Sequence, residues 1–208
     1  MDSIVKSYLD NFIDIFGFDP LLPESDKFEY FSIFSILSQK INNSLNKNDL
    51  EIFSTGKSKG VDAIAVAINE KTIFSSDELD SFDNQSLIVD FYFFQSKTSS
   101  NFSDSELGNF LDVVIDFFQD NPQYNIAEFN EYREIYKKIK ESFGKIRGIN
   151  LNCLYTTLGP EQEKNTSINS TIEIKRKLLE DFSLFKDIYI ELINKSALIS
   201  SFGGGEIA

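Results

Sequence analysis

The sequence predicts an α/β fold: one mixed β-sheet flanked by helices on both faces. Three observations carry that expectation. The hydrophobic period switches repeatedly between 3.6 and 2, the apolar runs 61–68 and 87–94 leave no polar face for water, and helical patterns separate the later strands. The 208 residues are 41% apolar and 14% aromatic, enough to close a continuous core.

Residues 3–16 place Val5, Leu9, Phe12 and Phe16 at helical spacing, and Asp19-Pro20 followed by Pro23 stops that helix. A second helix is expected over 26–45. Its stripe is Phe31, Phe34, Leu37, Ile41 and Leu45, Asp26 with Glu29 resembles a capping box, and Asn42, Asn43, Asn46 and Asn48 fray its end. Period 2 then takes over. In 61–68, Asp62, Ile64, Val66 and Ile68 form one face and Val61, Ala63, Ala65 and Ala67 the other, a strand with small residues under one packed layer. Residues 50–54 read as its hairpin partner across a loop over 55–60, and a short strand at 72–74 follows the turn Asn69-Glu70-Lys71. Past an acidic loop, 87–94 is the most apolar run, a central strand ending in Gln95-Ser96-Lys97-Thr98-Ser99.

Ser103 opens a helix carrying Leu107, Phe110, Leu111, Val114 and Phe118, which Asn121-Pro122 ends. The next helix, over 126–143, turns Tyr132, Ile135, Tyr136, Ile139 and Phe143 inward. A strand at 149–157, a polar loop to 170, a helix over 171–183 and a last strand at 187–193 complete the order. The domain organisation expected is an N-terminal helix and linker over 1–24, an α/β domain over 25–200 and a flexible tail over 201–208, readable as a linker to a further C-terminal part.

Composition excludes several chemistries. Without histidine there is no imidazole base, no Ser-His-Asp or Cys-His pair and no His-ligated zinc, and the lone Cys153 closes no internal disulfide. A reducing, cytoplasmic compartment fits that cysteine usage. The N-terminus lacks a basic segment followed by an apolar core, and no run approaches the roughly 18 apolar residues of a membrane span, so no membrane is expected. The net charge of −13 repels polyanions at long range and disfavours strong non-specific nucleic-acid affinity.

Chemistry is expected at two strand ends. Gln95 and Lys97 share the face of Leu87, Val89, Phe91 and Phe93 where it stops being apolar, and Asp62 begins the face of Ile64, Val66 and Ile68. Antiparallel pairing in one register would bring together a carboxylate, an amide and an ammonium. Such a trio suits metal-assisted phosphodiester hydrolysis, in which Mg²⁺ takes hard oxygen ligands and a lysine acts on water or offsets phosphorane charge.

At these residues, Gly60-Val61-Asp62-Ala63-Ile64-Ala65-Val66 and Phe93-Phe94-Gln95-Ser96-Lys97-Thr98-Ser99, the chain resembles the amino-terminal part of the abortive infection phage resistance (AIPR) family. That region is related to restriction-endonuclease-like nucleases of the PD-(D/E)xK superfamily, and the resemblance runs from about residue 26 onward. It implies bacterial anti-phage defence and a Mg²⁺-dependent DNA endonuclease core, with Mn²⁺ as a substitute ion. It implies Asp62, Gln95 and Lys97 as the catalytic set, Asp62 and Gln95 as metal ligands, and Glu29 as the first-helix acid that joins both. The chain departs from the signature twice: valine precedes Asp62, and glutamine stands at the second acidic position. Lys57, Lys59 and Ser99 are placed to meet the substrate phosphate. Phage or foreign DNA is the expected substrate, and a phage protein as trigger and a second copy of the chain remain open as partners.

Each residue also has a plainer reading. Asp62 can begin a strand after a glycine turn, Lys97 can snorkel from a sheet edge, and Glu29 can serve a helix start. Glu29 shares its helical side with Ile33 and Ile36, which favours an inward carboxylate. Asp90 and Cys153 read as structural. Arg133, Lys137 and Lys140 read as a solvated helix face, with DNA contact as the minority reading. The competing functional class is a catalytically silent endonuclease-like module that binds a phage or partner protein.

Overall fold

The computed structural model describes residues 3–82, 86–160 and 165–203, apart from the side chains of Lys57 and Ser58. Its helices are α1 (Ser3–Phe16), α2 (Glu24–Leu37), α3 (Lys47–Phe53), α4 (Asp104–Phe117), α5 (Asn130–Glu141), α6 (Thr166–Glu180) and α7 (Lys195–Gly203). The strands are β1 (Ser54–Ser58), β2 (Val61–Ile68), β3 (Lys71–Ile73), β4 (Leu87–Lys97), β5 (Ile146–Thr157) and β6 (Asp187–Ile193). None of the described helices is long and apolar enough to cross a membrane.

One mixed sheet of six strands runs β1-β2-β4-β5-β6, with β3 on the same edge of β2 as β1. β2 is antiparallel to its neighbours β1, β3 and β4, whereas β4, β5 and β6 run parallel, joined by helical crossovers. Every residue of β2 is buried, as its two apolar faces require. On one face Ile64, Val66, Ile68, Val89, Phe91, Phe93, Leu151 and Cys153 pack against α4, α5 and α6. On the other, Ala63, Ala65, Ala67, Tyr92, Phe94 and Leu154 pack under α1, α2, α3 and α7. The alanines leave room for α2, which is buried on nearly every side because it lies between the sheet and the outer helices. Its two buried serines are satisfied internally: Ser32 Oγ donates to Phe28 O and Ser35 Oγ to Phe31 O, both at 2.7 Å.

Four elements differ from expectation. The second helix stops at Leu37, and the asparagine-rich stretch starts a new helix rather than fraying an old one. Asn46 accepts from Asp49 N while Asp49 accepts from Asn46 N, a reciprocal capping box that turns 47–53 helical where a strand was expected. The hairpin partner of β2 is therefore the polar stretch Ser54–Ser58, expected as loop. Asp26 and Glu29 form no capping box, since α2 begins at Glu24 behind Pro23 with no side-chain cap. Lastly, α7 runs through Gly203 and buries Phe202, so the tail expected from 201 is in part helical, while 204–208 lie outside the described residues.

The helix at 3–16 packs directly on the rest. Phe12 lies 5.7 Å from Phe31, 5.6 Å from Phe34 and 6.4 Å from Phe202, ring centre to ring centre, so α1, α2 and α7 share one aromatic cluster.

Candidate functional site

The β2–β4 ladder pairs Ile64 with Phe93 and ends at Ala63 with Phe94, one step before Asp62 and Gln95. At this end of the sheet the backbone N–H of Ser96 donates to Asp62 Oδ2 at 2.6 Å, which fixes one carboxylate oxygen. Asp62 is 5% exposed. From α2, Glu29 reaches the same region, also 5% exposed, and its Oε1 accepts from Ser54 Oγ at 2.7 Å. Glu29, Asp62 and Lys97 line one cavity of about 250 Å³, together with Ser25, Gly60, Ser96 and Thr98. Three segments far apart in sequence thus bring two buried carboxylates and an ammonium to one hollow.

Gln95 is not part of that lining. It borders a neighbouring cavity of about 420 Å³ on the α4 side, with Lys59, Gly60, Lys97, Glu106, Asn109, Val113 and Tyr124. Gly60 and Lys97 are common to both cavities. The strict alternation that put Asp62 and Gln95 side by side breaks at the start of β2. There, four residue steps of β1, from Ser54 to Ser58, oppose two of β2, from Ala63 to Val61. Val61 consequently packs in the same core layer as Ile64, and Asp62 borders the α2-side cavity instead. Gly60, at φ +88°, sits where the two cavities meet, and a Cβ there would lie 3.6 Å from Gln95 Nε2.

One site residue escaped the sequence reading. Glu106, in the first turn of α4, pairs with Lys97 Nζ at 3.8 Å and accepts from the Tyr155 hydroxyl at 2.9 Å. Burial raises the Tyr155 phenol well above its ordinary value, so it stays protonated as a donor. The only sequence signal for Glu106 was its place behind the N-cap Ser103, which suggested helix capping alone. Register brings it in, because Gln95 pairs with Tyr155 and Lys97 with Thr157 across β4–β5.

The rim is braced by backbone. Leu158 N donates to Ser99 O at 3.1 Å, and Gly159 packs so closely on the 99–101 turn that a Cβ would lie 2.0 Å from Ser100 O. Ser99, expected at phosphate, spends its hydroxyl on Asn101 O at 3.1 Å. Lys59 lies over Tyr124, Nζ 4.7 Å from the ring centre, and the side chain of Lys57 lies outside the described residues. Arg133 has a structural role: it donates to Tyr124 O at 2.8 Å, lies 3.8 Å from Asp116 and stacks near Phe117 and Phe129. Asp90 accepts from Asn150 Nδ2 at 2.9 Å, and burial raises the Cys153 thiol far above its ordinary value, so it stays protonated.

Among the described residues no cluster of three or more His, Cys, Asp and Glu could hold a metal ion. The Glu29 and Asp62 pair nevertheless suits Mg²⁺, which is commonly held by one or two carboxylates with water and substrate phosphate completing its shell. No family model, no curated protein and no solved structure matches the chain.

Proposed function

We propose that the chain is a Mg²⁺-dependent DNA endonuclease of restriction-endonuclease-like type, acting in the cytoplasm in AIPR-type defence against phage. One observation carries the reading: Glu29, Asp62 and Lys97 border the same cavity at the end of the central strand pair, and both acids are almost fully buried. Glu29 and Asp62 would hold Mg²⁺, which when bound supplies charge neutralisation at phosphate and an acidified water.

The chain's own groups do the rest. The Ser96 N–H and the Ser54 hydroxyl orient Asp62 and Glu29, so neither carboxylate must reorganise as substrate enters. Lys97 offsets negative charge developing on the phosphoryl oxygens, and Glu106 restrains its ammonium from the α4 side. That Lys97 borders both cavities supports a role for its charge at the phosphate of a strand passing between them.

A plasmid-nicking assay with Mg²⁺ tests this against Asp62→Asn and Lys97→Met. Each substitution is expected to slow cleavage about 100-fold or more, the usual scale for removing one electrostatic contact to the transition state. Equal nicking by all three proteins would falsify the assignment. The lack of a third acid beside Glu29 and Asp62 among the described residues favours the rival silent module. That module predicts no cleavage and no calorimetric Mn²⁺ binding that depends on Asp62.

A further inference from the structure

A cavity at the other end of the sheet departs from the acidic character of the chain. It encloses about 400 Å³ between the turn after α5, the first residues of β5 and the loop from α6 to β6. Arg147 and Lys186 line it and no carboxylate does, whereas Glu29 and Asp62 border one of the site cavities and Glu106 the other. Both cations are exposed, and among the described residues neither side chain takes part in an ion pair or a hydrogen bond. Nearby bases are answered by acids: Lys138 meets Asp80 at 3.2 Å and Lys140 meets Asp120 at 3.3 Å. In a chain of net charge −13, two unanswered cations on one hollow mark a place that attracts an anion.

Two further features shape the hollow. A Cβ on Gly148 would lie 3.0 Å from Lys186 Cδ and 3.5 Å from Lys186 Cβ, so the lysine stem rests on the residue that follows Arg147. Glycine there admits that approach. Helix α5 ends at Glu141, and the turn Phe143–Lys145 leaves the Phe143 ring 49% exposed on the cavity wall, with no other ring paired to it among the described residues. From these features we infer that the cavity binds a small nucleotide, its phosphate between Arg147 and Lys186 and its base on Phe143. A guanidinium meets phosphate through two parallel N–H donors, and the lysine adds a point charge beside it. An aromatic face holds any base by stacking, and the volume suits one nucleotide. The site is separate from the acid cavity. Parallel β4 and β5 match Leu87 with Ile146 and Lys97 with Thr157, which sets the two hollows about 33 Å apart along the strands. The inference therefore goes beyond the nuclease reading and does not depend on it.

Calorimetric titration of the full chain with AMP, adenosine and inorganic phosphate, in EDTA and at about 0.15 M salt to screen the acidic surface, tests the site. AMP is expected to bind at least about tenfold more tightly than either fragment, since only AMP engages the cations and the ring together. Arg147→Gln and Lys186→Gln should each weaken AMP about tenfold while leaving the thermal midpoint unchanged, because both side chains are exposed and bonded to nothing in the free protein. Phe143→Ser should bring the affinity for AMP down to that for phosphate. A single-stranded oligothymidylate lacking terminal phosphate serves as a fourth titrant and should bind more weakly than AMP. Absence of AMP binding, equal affinity for AMP and either fragment, or an Arg147→Gln variant that binds AMP as well as the unaltered chain would overturn the inference. Tighter binding of the oligonucleotide that is lost in Arg147→Gln would also overturn it, by assigning the hollow to a nucleic-acid strand.

Discussion

Replacing Gln95 by methionine should make the protein more stable. The side chains are similar in length, so the volume within the sheet is conserved, and an Oε1 with no partner among the described residues disappears. Leaving a buried acceptor unsatisfied costs about 1–3 kcal/mol. Taking about 2 kcal/mol as the gain, and about 2–4 °C per kcal/mol for a chain of this size, the midpoint of thermal unfolding should rise by about 4–8 °C. Scanning calorimetry of both proteins, with urea unfolding to confirm an unchanged m-value, measures it. A midpoint that stays put or falls would refute the reasoning by showing that Oε1 is already satisfied in solution.

Two further outcomes follow from the same geometry. Burial raises the phenols of Tyr92, Tyr132 and Tyr155, and raises that of Tyr136 to about 12. Each therefore contributes stability that is intact below pH 10 and lost as pH climbs from there toward the folded value, at about 1.4 kcal/mol per pH unit. Tyrosine absorbance and circular dichroism should accordingly change together above pH 10, and ionisation of all eight tyrosines near pH 10 with the native spectrum retained would contradict it. Gly159→Ala, with its Cβ 2.0 Å from Ser100 O, should cost about 1–3 kcal/mol and loosen the turn behind Thr98, read as a lower urea midpoint.

Legibility of the fold followed the strength of local patterning. The long apolar run β4 and the period-2 run β2 were placed from local pattern alone, β2 and β6 to the residue. Segment 47–58 was misplaced because its helix depends on a reciprocal bond between Asn46 and Asp49, while its strand, Ser-Thr-Gly-Lys-Ser, has no hydrophobic alternation to detect. Helix α7 escaped because its nine residues lie beside a glycine run and carry only Leu198 and Phe202 as fully buried anchors. At the site, the meeting of β2 and β4 was readable because strand ends carry Asp62, Gln95 and Lys97 in matching phase. The separation of Gln95 from Asp62 was not, since it arises from a slipped ladder with β1, a strand that polar sequence conceals. Glu106 reaches Lys97 only through the parallel pairing of β4 with β5, a non-local fact.

The aromatic cluster joining α1, α2 and α7 has a bearing on how the acid at position 29 is supported. Phe12 of α1 and Phe202 of α7 both lean on Phe31 of α2, so the helix that carries Glu29 is held from two sides by segments far apart in sequence. Removing either α1 or α7 should therefore loosen α2 and shift the seat of Glu29, so helices remote in sequence govern where that carboxylate stands.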